Sequence, residues 1–312
     1  MTLPVRSAVA LVGPTASGKS ALAHDVALES AGEFEILSVD AMGVYRGMDL
    51  GTAKPTREER EEVSYHLLDL VTPSEEFTVA QFQRAARTSE RRIASGGHGA
   101  LYVGGTGLYG RAVLDDLDIP ARYPEIRRTL EVRAANDLRA LYEELVELDP
   151  LAASRLEATN ERRVVRALEV TLGAKRPFSS YGEGLLSYGP VRVVQVGLDC
   201  ELAVLDERVE RRFRSWMEQG LLSEVAGLLR APEGLGRTAR QAVGYRELLR
   251  HLEDGEPLEQ CVLEAITQSR RLARRQGRWF RRDPRVEWFR DVALAKRRLL
   301  EVLSRANGFV RD

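Results

Sequence analysis

The stretch Gly13-Pro14-Thr15-Ala16-Ser17-Gly18-Lys19-Ser20 matches the pattern G-x-x-x-x-G-K-[ST], the phosphate-binding P-loop. An apolar run over residues 8–12 precedes it and predicts a buried strand, and residues 20–27 follow it with the pattern of a helix. In such a unit, glycines let backbone N–H groups face a phosphate at the helix N-terminus. Lys19 adds a cation, and the Ser20 hydroxyl is a candidate ligand for Mg²⁺. All eight residues are therefore candidates for binding a diphosphate or a nucleotide.

The composition is that of an ordinary globular protein. The chain has 312 residues, of which 44% are hydrophobic and 30% charged, and its net charge is −1. No apolar run approaches the roughly 20 residues of a membrane span, and the P-loop strand begins too early for a signal peptide. Cys200 and Cys261 lack metal-ligand spacing. We therefore expect a cytoplasmic monomer with no structural zinc and no membrane partner.

Strands and helices alternate up to about residue 115. Residues 35–40 and 100–107 predict two further strands, with a helical pattern over 78–93 between them. This series predicts an α/β fold in which a P-loop NTPase-like parallel sheet is flanked by helices. Its ligand crevice is then expected at the carboxyl ends of the strands.

Consecutive helical patterns interrupt the sheet. They cover residues 124–134, 137–147, 150–156 and 161–172. A strand is predicted over 191–198, and helices follow over 201–219, 222–230, 241–252 and 258–282. The sequence therefore predicts a P-loop core over 1–120, an inserted all-helical lobe over 121–188, and a segment over 189–312 that completes the core and carries basic C-terminal helices.

Two polar features follow predicted strands at the edge that also carries the P-loop. Asp40 ends the second strand, where a carboxylate either holds Mg²⁺ through water or accepts a proton from an attacking nucleophile. The turn 104–107 ends the third strand, allows close backbone approach, and offers the Thr106 hydroxyl. Each has a structural explanation by itself, as a turn carboxylate or a tight strand–helix connection. Their shared edge favours one common site.

The C-terminal region carries a dense run of arginines. Eight arginines lie within residues 270–285, and only Asp283 opposes them along the sequence. Like charges at i,i+4 spacing repel, and a polyphosphate backbone would offset that repulsion. Trp279 and Phe280 either stack on bases or, more commonly, pack the helix on the core. A nucleic-acid partner is therefore predicted. The proposed contacts are the stripe Arg270, Arg274, Arg278 and Arg282, its neighbours Arg271 and Arg275, and a second cluster of Arg162, Arg163 and Arg166.

Taken together, these residues resemble the tRNA dimethylallyltransferases, also called tRNA isopentenyltransferases, the bacterial MiaA family. The resemblance runs from Gly13 to about Arg282 and rests on a series of motifs in order. They are GPTASGKS at 13–20, SVDxxxVYRGMDLGTAKP at 38–55, YHLLD at 65–69, FTVAQFQRAA at 77–86, GGTGLY at 104–109, RRVVRALEV at 162–170, QAVGYRE at 241–247 and RRLARRQGRWFRRD at 270–283.

This resemblance implies transfer of a dimethylallyl group from dimethylallyl diphosphate to N6 of an adenosine beside the tRNA anticodon, usually position 37. It implies that residues 16–20 hold the diphosphate, that Asp40 is the general base, and that Thr106 lies at the reaction centre. Helical arginines Arg212 and Arg246 are further candidates for the diphosphate. The implied tRNA contacts in the anticodon stem-loop are made by the basic C-terminal helix, by Ser38, Val39, Asp40 and Ala41, and by Arg162, Arg163, Val164, Val165 and Arg166.

The chain departs from the family pattern at two positions, where Ala41 and Gly43 replace the usual Ser and Gln. This difference puts the details of base recognition in question but leaves Asp40 and the P-loop intact. Three other functions stay open: a P-loop kinase with Asp40 or Asp199 as metal carboxylate, an adenylate isopentenyltransferase, and an RNA-binding protein without catalysis. A kinase would give no role to the arginines. The long lobe argues against an adenylate isopentenyltransferase, and the intact motifs argue against an RNA-binding protein without catalysis.

Overall fold

The structure is a computed structural model that describes residues 8–182, 184–191 and 193–308. The chain divides into two compact units. One comprises the segments up to Asp115 and from Pro190 onward, and the other is Asp116–Gly189.

The first unit is built on a six-stranded sheet in the order β3-β2-β4-β1-β5-β6, with every pair parallel. The predicted parallel α/β fold is therefore confirmed. Short β3 and β6 were not predicted, because two to four residues carry too little pattern. Residue 192 of the predicted strand 191–198 lies outside the described residues. The strands are β1 Ala8–Val12, β2 Phe34–Val39, β3 Tyr65–His66, β4 Gly99–Gly104, β5 Val194–Leu198 and β6 Val286–Phe289.

Helices cover both faces of this sheet, because alternate residues of each buried strand point to opposite sides. Val9 and Leu11 of β1 pack in one apolar cluster with residues of the first and last helices, and Ala10 and Val12 pack in the other. The helices of this unit are α1 Lys19–Glu29, α2 Arg57–Glu62, α3 Val79–Ser95, α4 Gly107–Leu114, α8 Leu202–Glu218, α9 Leu221–Arg230, α10 Arg237–Arg240, α11 Tyr245–Asp254, α12 Leu258–Phe280 and α13 Val292–Gly308.

Local signals explain where several of these helices begin. Thr78 caps α3 in a capping box with Gln81. The predicted helix 241–252 instead begins at Tyr245, because Gly244 has a φ of 93° that a helix does not continue. No helix in the described ranges is both long and apolar enough to cross a membrane.

The second unit is all-helical and has its own core. It contains α5 Pro124–Leu148, α6 Pro150–Ala153, α7 Glu161–Ala174 and two short 3₁₀ helices, Phe178–Tyr181 and Gly184–Leu186. The helices predicted over 124–134 and 137–147 form the single helix α5, which bends where Asp137 leaves helical geometry. The buried carboxylate of Glu169 accepts a hydrogen bond from Tyr123 N at 2.8 Å and ion-pairs with Arg127. This carboxylate therefore ties the start of α5 to α7.

Candidate active site

Three segments that follow β1, β2 and β4 meet at the carboxyl edge of the sheet. Val12 and Val39 both align with Gly104, so the P-loop, Asp40 and the turn 104–107 begin at the same level. Ala41 N donates a hydrogen bond to Thr106 Oγ1 at 3.1 Å, which joins the second and third segments. The predicted convergence of the three motifs is confirmed.

Lys19 lies inside the P-loop as a buried cation. Its Nζ donates a hydrogen bond to Pro14 O at 3.0 Å. Burial and the neighbouring Arg212 lower the pKa of Lys19 to about 8, and the nearby carboxylate of Asp40 partly opposes this shift. A buried ammonium group with so little compensation from the protein favours an anionic ligand.

Arg212 of α8 supplies a second cation at the same place. Its Nη2 donates to Thr15 Oγ1 at 2.6 Å, and burial lowers its pKa to about 10 against the opposing effect of Asp40. One turn earlier, Arg208 donates to Ser17 O at 3.5 Å, a contact that the sequence pattern did not predict. The other candidate, Arg246, bonds to the buried carboxylate of Glu247 and forms no hydrogen bond or ion pair with the P-loop among the described residues, and its assignment to the diphosphate stays a prediction.

Two buried donors at the P-loop have no hydrogen-bond partner within the described part of the chain. They are Ser17 Oγ and Arg212 Nε. An unsatisfied buried donor destabilises a folded protein by about 1–3 kcal/mol, so such groups concentrate where a ligand supplies the acceptor. Together with the two desolvated cations, they define a site for an anion with several oxygens.

Asp40 is half-buried, and its two oxygens have different surroundings. Oδ1 accepts hydrogen bonds from Met42 N at 2.7 Å and from Gly43 N at 3.2 Å. Oδ2 has no hydrogen bond to any described residue. The backbone thus holds the carboxylate in one orientation and leaves one oxygen available to accept a proton.

A cleft of about 930 Å³ opens in front of Asp40. Ser20 and Ser38 line it near the P-loop, and Trp216 of α8 lines it on another side. Gly43 leaves the space next to Asp40 empty of a side chain, and a Cβ there would lie 3.4 Å from Leu68 Cδ2. The cleft also contains the charged residues Arg46, Asp49, Lys54, Arg60 and Asp69.

The oxygen atoms available at the carboxyl ends of the strands suit a metal ion that takes few ligands from the protein. The described residues contain no group of three or more His, Cys, Asp or Glu side chains arranged to hold a metal ion. The exposed Ser20 hydroxyl lines the cleft that also contains Asp40. Mg²⁺ commonly binds through one or two protein oxygens together with substrate phosphates and water, so these residues fit Mg²⁺ bound with a diphosphate.

The arginines of α12 divide into two faces. Arg270 pairs with Glu210 at 2.7 Å and Arg274 with Asp206 at 2.5 Å, both carboxylates of α8. Although only Asp283 opposes the run along the sequence, carboxylates of α8 neutralise two members of the predicted stripe. The exposed arginines without an ion-pair partner in the described chain are Arg271, Arg275, Arg278 and Arg282.

The predicted contacts on the lobe are of two kinds. Arg162 and Arg163 are exposed in the first turn of α7, where the helix dipole disfavours cations and no described residue pairs with them. Val164 and Val165 are 0% and 1% exposed and lie in the core of the lobe, and their proposed contact with RNA stays a prediction. Arg166 donates to Pro120 O and Ala121 O and is held within the lobe.

Two residues of α12 pack directly on the site, and the sequence reasoning assigned neither to it. Gln276 Oε1 accepts a hydrogen bond from Thr15 N at 2.7 Å. Trp279 packs on Gly107, where a Cβ would lie only 2.0 Å from its Nε1. Trp279 and the buried Phe280 thus pack on the core, which is the commoner of the two roles predicted for them. The GGTG turn and the RQGRW segment were signals for this contact, because glycines admit close neighbours.

Comparison with known proteins agrees with this geometry. A protein-family model described as IPP transferase matches residues 43–283. The chain belongs to the IPP transferase family.

Relatives within the family cover nearly the whole chain. A tRNA dimethylallyltransferase of Nocardioides is 42% identical over 96% of this chain and 97% of its own length. One of Bifidobacterium animalis subsp. lactis is 42% identical over 90% of this chain and 81% of its own. The crystal structure of the tRNA isopentenylpyrophosphate transferase of Bacillus halodurans aligns with a TM-score of 0.69 and 34% identity, covering 98% of this chain and all of that one.

Proposed function

We propose that this protein transfers a dimethylallyl group from dimethylallyl diphosphate to N6 of adenosine 37 in tRNA and releases diphosphate. The observation that carries the proposal is the pair of desolvated cations, Lys19 and Arg212, beside a carboxylate with one unbonded oxygen, Asp40. The two cations would stabilise a leaving anion, and the carboxylate would accept the proton that the nucleophile must lose. Both functions would lie at the carboxyl ends of the strands. The names of the relatives support the same reaction.

The diphosphate is the leaving group, and its developing charge sets the barrier to breaking the allylic C–O bond. Lys19, Arg212 and the P-loop N–H groups are fixed before the substrate arrives, so they stabilise that charge without reorganisation. Ser17 Oγ and Arg212 Nε supply two further donors. The C–O electron pair leaves with the diphosphate, which departs as a unit.

The adenine N6 amine is a weak nucleophile because its lone pair is delocalised into the purine ring. As the new C–N bond forms, N6 must lose a proton, and we assign Asp40 as the base that accepts it. Met42 N and Gly43 N hold Oδ1, so Oδ2 is the oxygen that takes the proton. Such assistance is typically worth roughly 10²–10⁴-fold in rate. Thr106, which is bonded to Ala41 N, would keep this segment in place.

We propose that Mg²⁺ binds at Ser20, which lines the cleft. When bound, the ion would neutralise part of the charge on the diphosphate oxygens.

The exposed arginines are proposed to bind the tRNA backbone. On α12 these are Arg271, Arg275 and Arg278, just after it Arg282, and on the lobe Arg162 and Arg163. Neutralising phosphates releases counterions and offsets the repulsion among like charges. The acceptor base must leave its stack in the anticodon loop to reach Asp40. Unstacking a base requires a few kcal/mol, and this free energy is smallest for a base in a loop.

We expect the protein to act as a monomer in the cytoplasm, where tRNA is available. Its two described cysteines, Cys200 and Cys261, are free thiols, as is usual in a reducing compartment.

The kinase alternative is less well supported. Asp199, its second candidate metal carboxylate, ion-pairs with Arg281 at 2.6 Å and lies 3.6 Å from Arg290. A free-nucleotide acceptor would give no role to the unpaired arginines. A protein that only binds RNA would have no use for the buried cations.

The test is transfer of radiolabelled dimethylallyl diphosphate to unmodified tRNA, with AMP and ATP as parallel acceptors. We expect label in tRNA only, reduced roughly 10²–10⁴-fold in Asp40→Asn. Label in AMP would change the acceptor to a free nucleotide. ATP consumption without transfer would indicate a kinase.

A further inference from the structure

Gln276 connects α12 to two parts of the active site. Its Oε1 accepts a hydrogen bond from Thr15 N, in the P-loop, at 2.7 Å. Its Nε2 lies against the turn 104–107, since a Cβ added to Gly105 would be 2.6 Å from that atom. The amide therefore lies between the P-loop and the turn that carries Thr106.

The hydrogen bond to Thr15 determines which way the amide faces. A backbone N–H only donates, so the oxygen of Gln276 must face Thr15, and the NH₂ group must face away from it. Nε2 forms no hydrogen bond with any described residue. It is a donor without a partner among the described residues, and it lies between the P-loop and the turn 104–107.

We propose that Gln276 is a diphosphate-binding residue, whose Nε2 donates a hydrogen bond to the substrate while its Oε1 holds Thr15 and the P-loop in place. This inference rests on the proposed function. Glutamine is suited to both tasks at once. Lysine and arginine cannot accept from Thr15 N, and a glutamate would accept from it but repel the diphosphate.

The packing around Gln276 supports a dedicated position. Gly105 and Gly107 both lack the side chain that would displace α12, since a Cβ at Gly107 would clash with Trp279. The opposite side of the same helix carries the exposed Arg271, Arg275 and Arg278. The same helix therefore carries the Gln276 amide on one side and the exposed arginines on another.

The decisive variant is Gln276→Glu, which keeps the size and the acceptor for Thr15 N but replaces the donor by a negative charge. We expect the Kd for inorganic pyrophosphate, measured by calorimetry on the whole protein, to weaken by about thirtyfold or more. The KM for dimethylallyl diphosphate should rise in parallel, the KM for tRNA should stay within about twofold, and the Tm should change little. Gln276→Ala, which loses both the donor and the acceptor for Thr15 N without adding charge, should weaken pyrophosphate binding by about tenfold.

The matched control is Gln260→Glu, the same charge change at an exposed position in α12, and it should leave all these values unchanged. Pyrophosphate binding by Gln276→Glu within twofold of the wild type would overturn the inference. Pyrophosphate titration needs no tRNA, so the two proposals fail separately. A wild type that binds pyrophosphate without prenylating tRNA refutes the function, and normal binding by Gln276→Glu in an active enzyme refutes only the role of Gln276.

Discussion

Buried charged groups have different surroundings at the carboxyl ends and at the amino ends of the strands in the central sheet. At the carboxyl edge, Lys19 and Arg212 are desolvated together, and Asp40 is the carboxylate among the described residues that raises both of their pKa values against this effect. Near the amino ends of the strands, Glu35 of β2 accepts hydrogen bonds from His98 Nδ1 at 2.5 Å and His66 Nε2 at 2.6 Å. Glu35 is thus paired within the chain, whereas the two cations at the carboxyl edge are the ones that we propose a ligand completes.

Substitution of Lys19 tests the carboxyl edge and should have the largest effect. Lys19→Met should reduce prenyl transfer by roughly 10²–10³-fold, because a preorganised cation at the leaving group is lost. Its Tm should be unchanged or higher, since removing a desolvated charge relieves a cost of folding. Transfer assays and thermal unfolding measure the two effects. A marked fall in Tm would show that Lys19 serves the fold, contrary to the comparison.

Substitution of Glu35 tests the opposite edge. Glu35→Ala removes the acceptor for two histidines and should lower the free energy of unfolding by about 1–3 kcal/mol. kcat/KM should stay within about twofold of the wild type, because the site lies at the other ends of the strands. Urea denaturation and steady-state kinetics provide the measurements, and a selective loss of activity would contradict the separation of roles.

The effect of pH on pyrophosphate binding tests whether the buried Lys19 is completed by an anion. The pKa of Lys19 is about 8 without ligand, and a bound diphosphate should raise it. Affinity is therefore constant below pH 8 and falls by up to about tenfold per pH unit above it, because binding then requires uptake of a proton. Calorimetry at pH 7–9 tests this, with Lys19→Met as control for ionisation of pyrophosphate itself.

The stability of the ligand-free protein should change in the other direction over that range. Between pH 8 and the ordinary lysine value of 10.5, the folded state binds fewer protons than the unfolded state. The contribution of Lys19 to stability therefore increases as the pH rises through this window. At acid pH, burial of Glu35 works to raise its pKa, but the hydrogen bonds with His98 and His66 outweigh it and lower the pKa. The stability from Glu35 is thus lost as the pH falls through that lowered value.

The two faces of α12 also differ in whether their charges are paired within the chain. Arg275→Gln should reduce the magnitude of the salt slope of tRNA binding by about 0.7–0.9, the value for one phosphate contact. Arg274→Gln, the neighbouring change on the paired face, should leave the slope unchanged and lower stability by less than about 1 kcal/mol. Filter binding at several salt concentrations distinguishes them. Equal slopes for both variants would mean that the ion pair with Asp206 does not withhold Arg274 from RNA.

Local sequence predicted which segments meet at the carboxyl ends of the strands but could not decide which of the two candidate arginines reaches the P-loop. Arg212 and Arg246 both lie on helices and both fitted the diphosphate, yet only Arg212 reaches Thr15. The reason is that α8 packs against α12 beside the P-loop, while the guanidinium of Arg246 bonds to its neighbour Glu247. Such distances depend on how helices pack, and helical periodicity within one segment does not contain that information.

By itself, the sequence determined the strand–loop–helix of the P-loop, the parallel sheet, and the meeting of Asp40 and Thr106 at its carboxyl edge. These follow from short-range patterns and from the rule that parallel strands end together. Only the tertiary structure decided which arginines of α12 stay unpaired, that Val164 and Val165 are core residues of the lobe, and that Gln276 reaches Thr15, 261 positions away. Pairing and burial are properties of neighbours in space, and those neighbours come from distant parts of the chain.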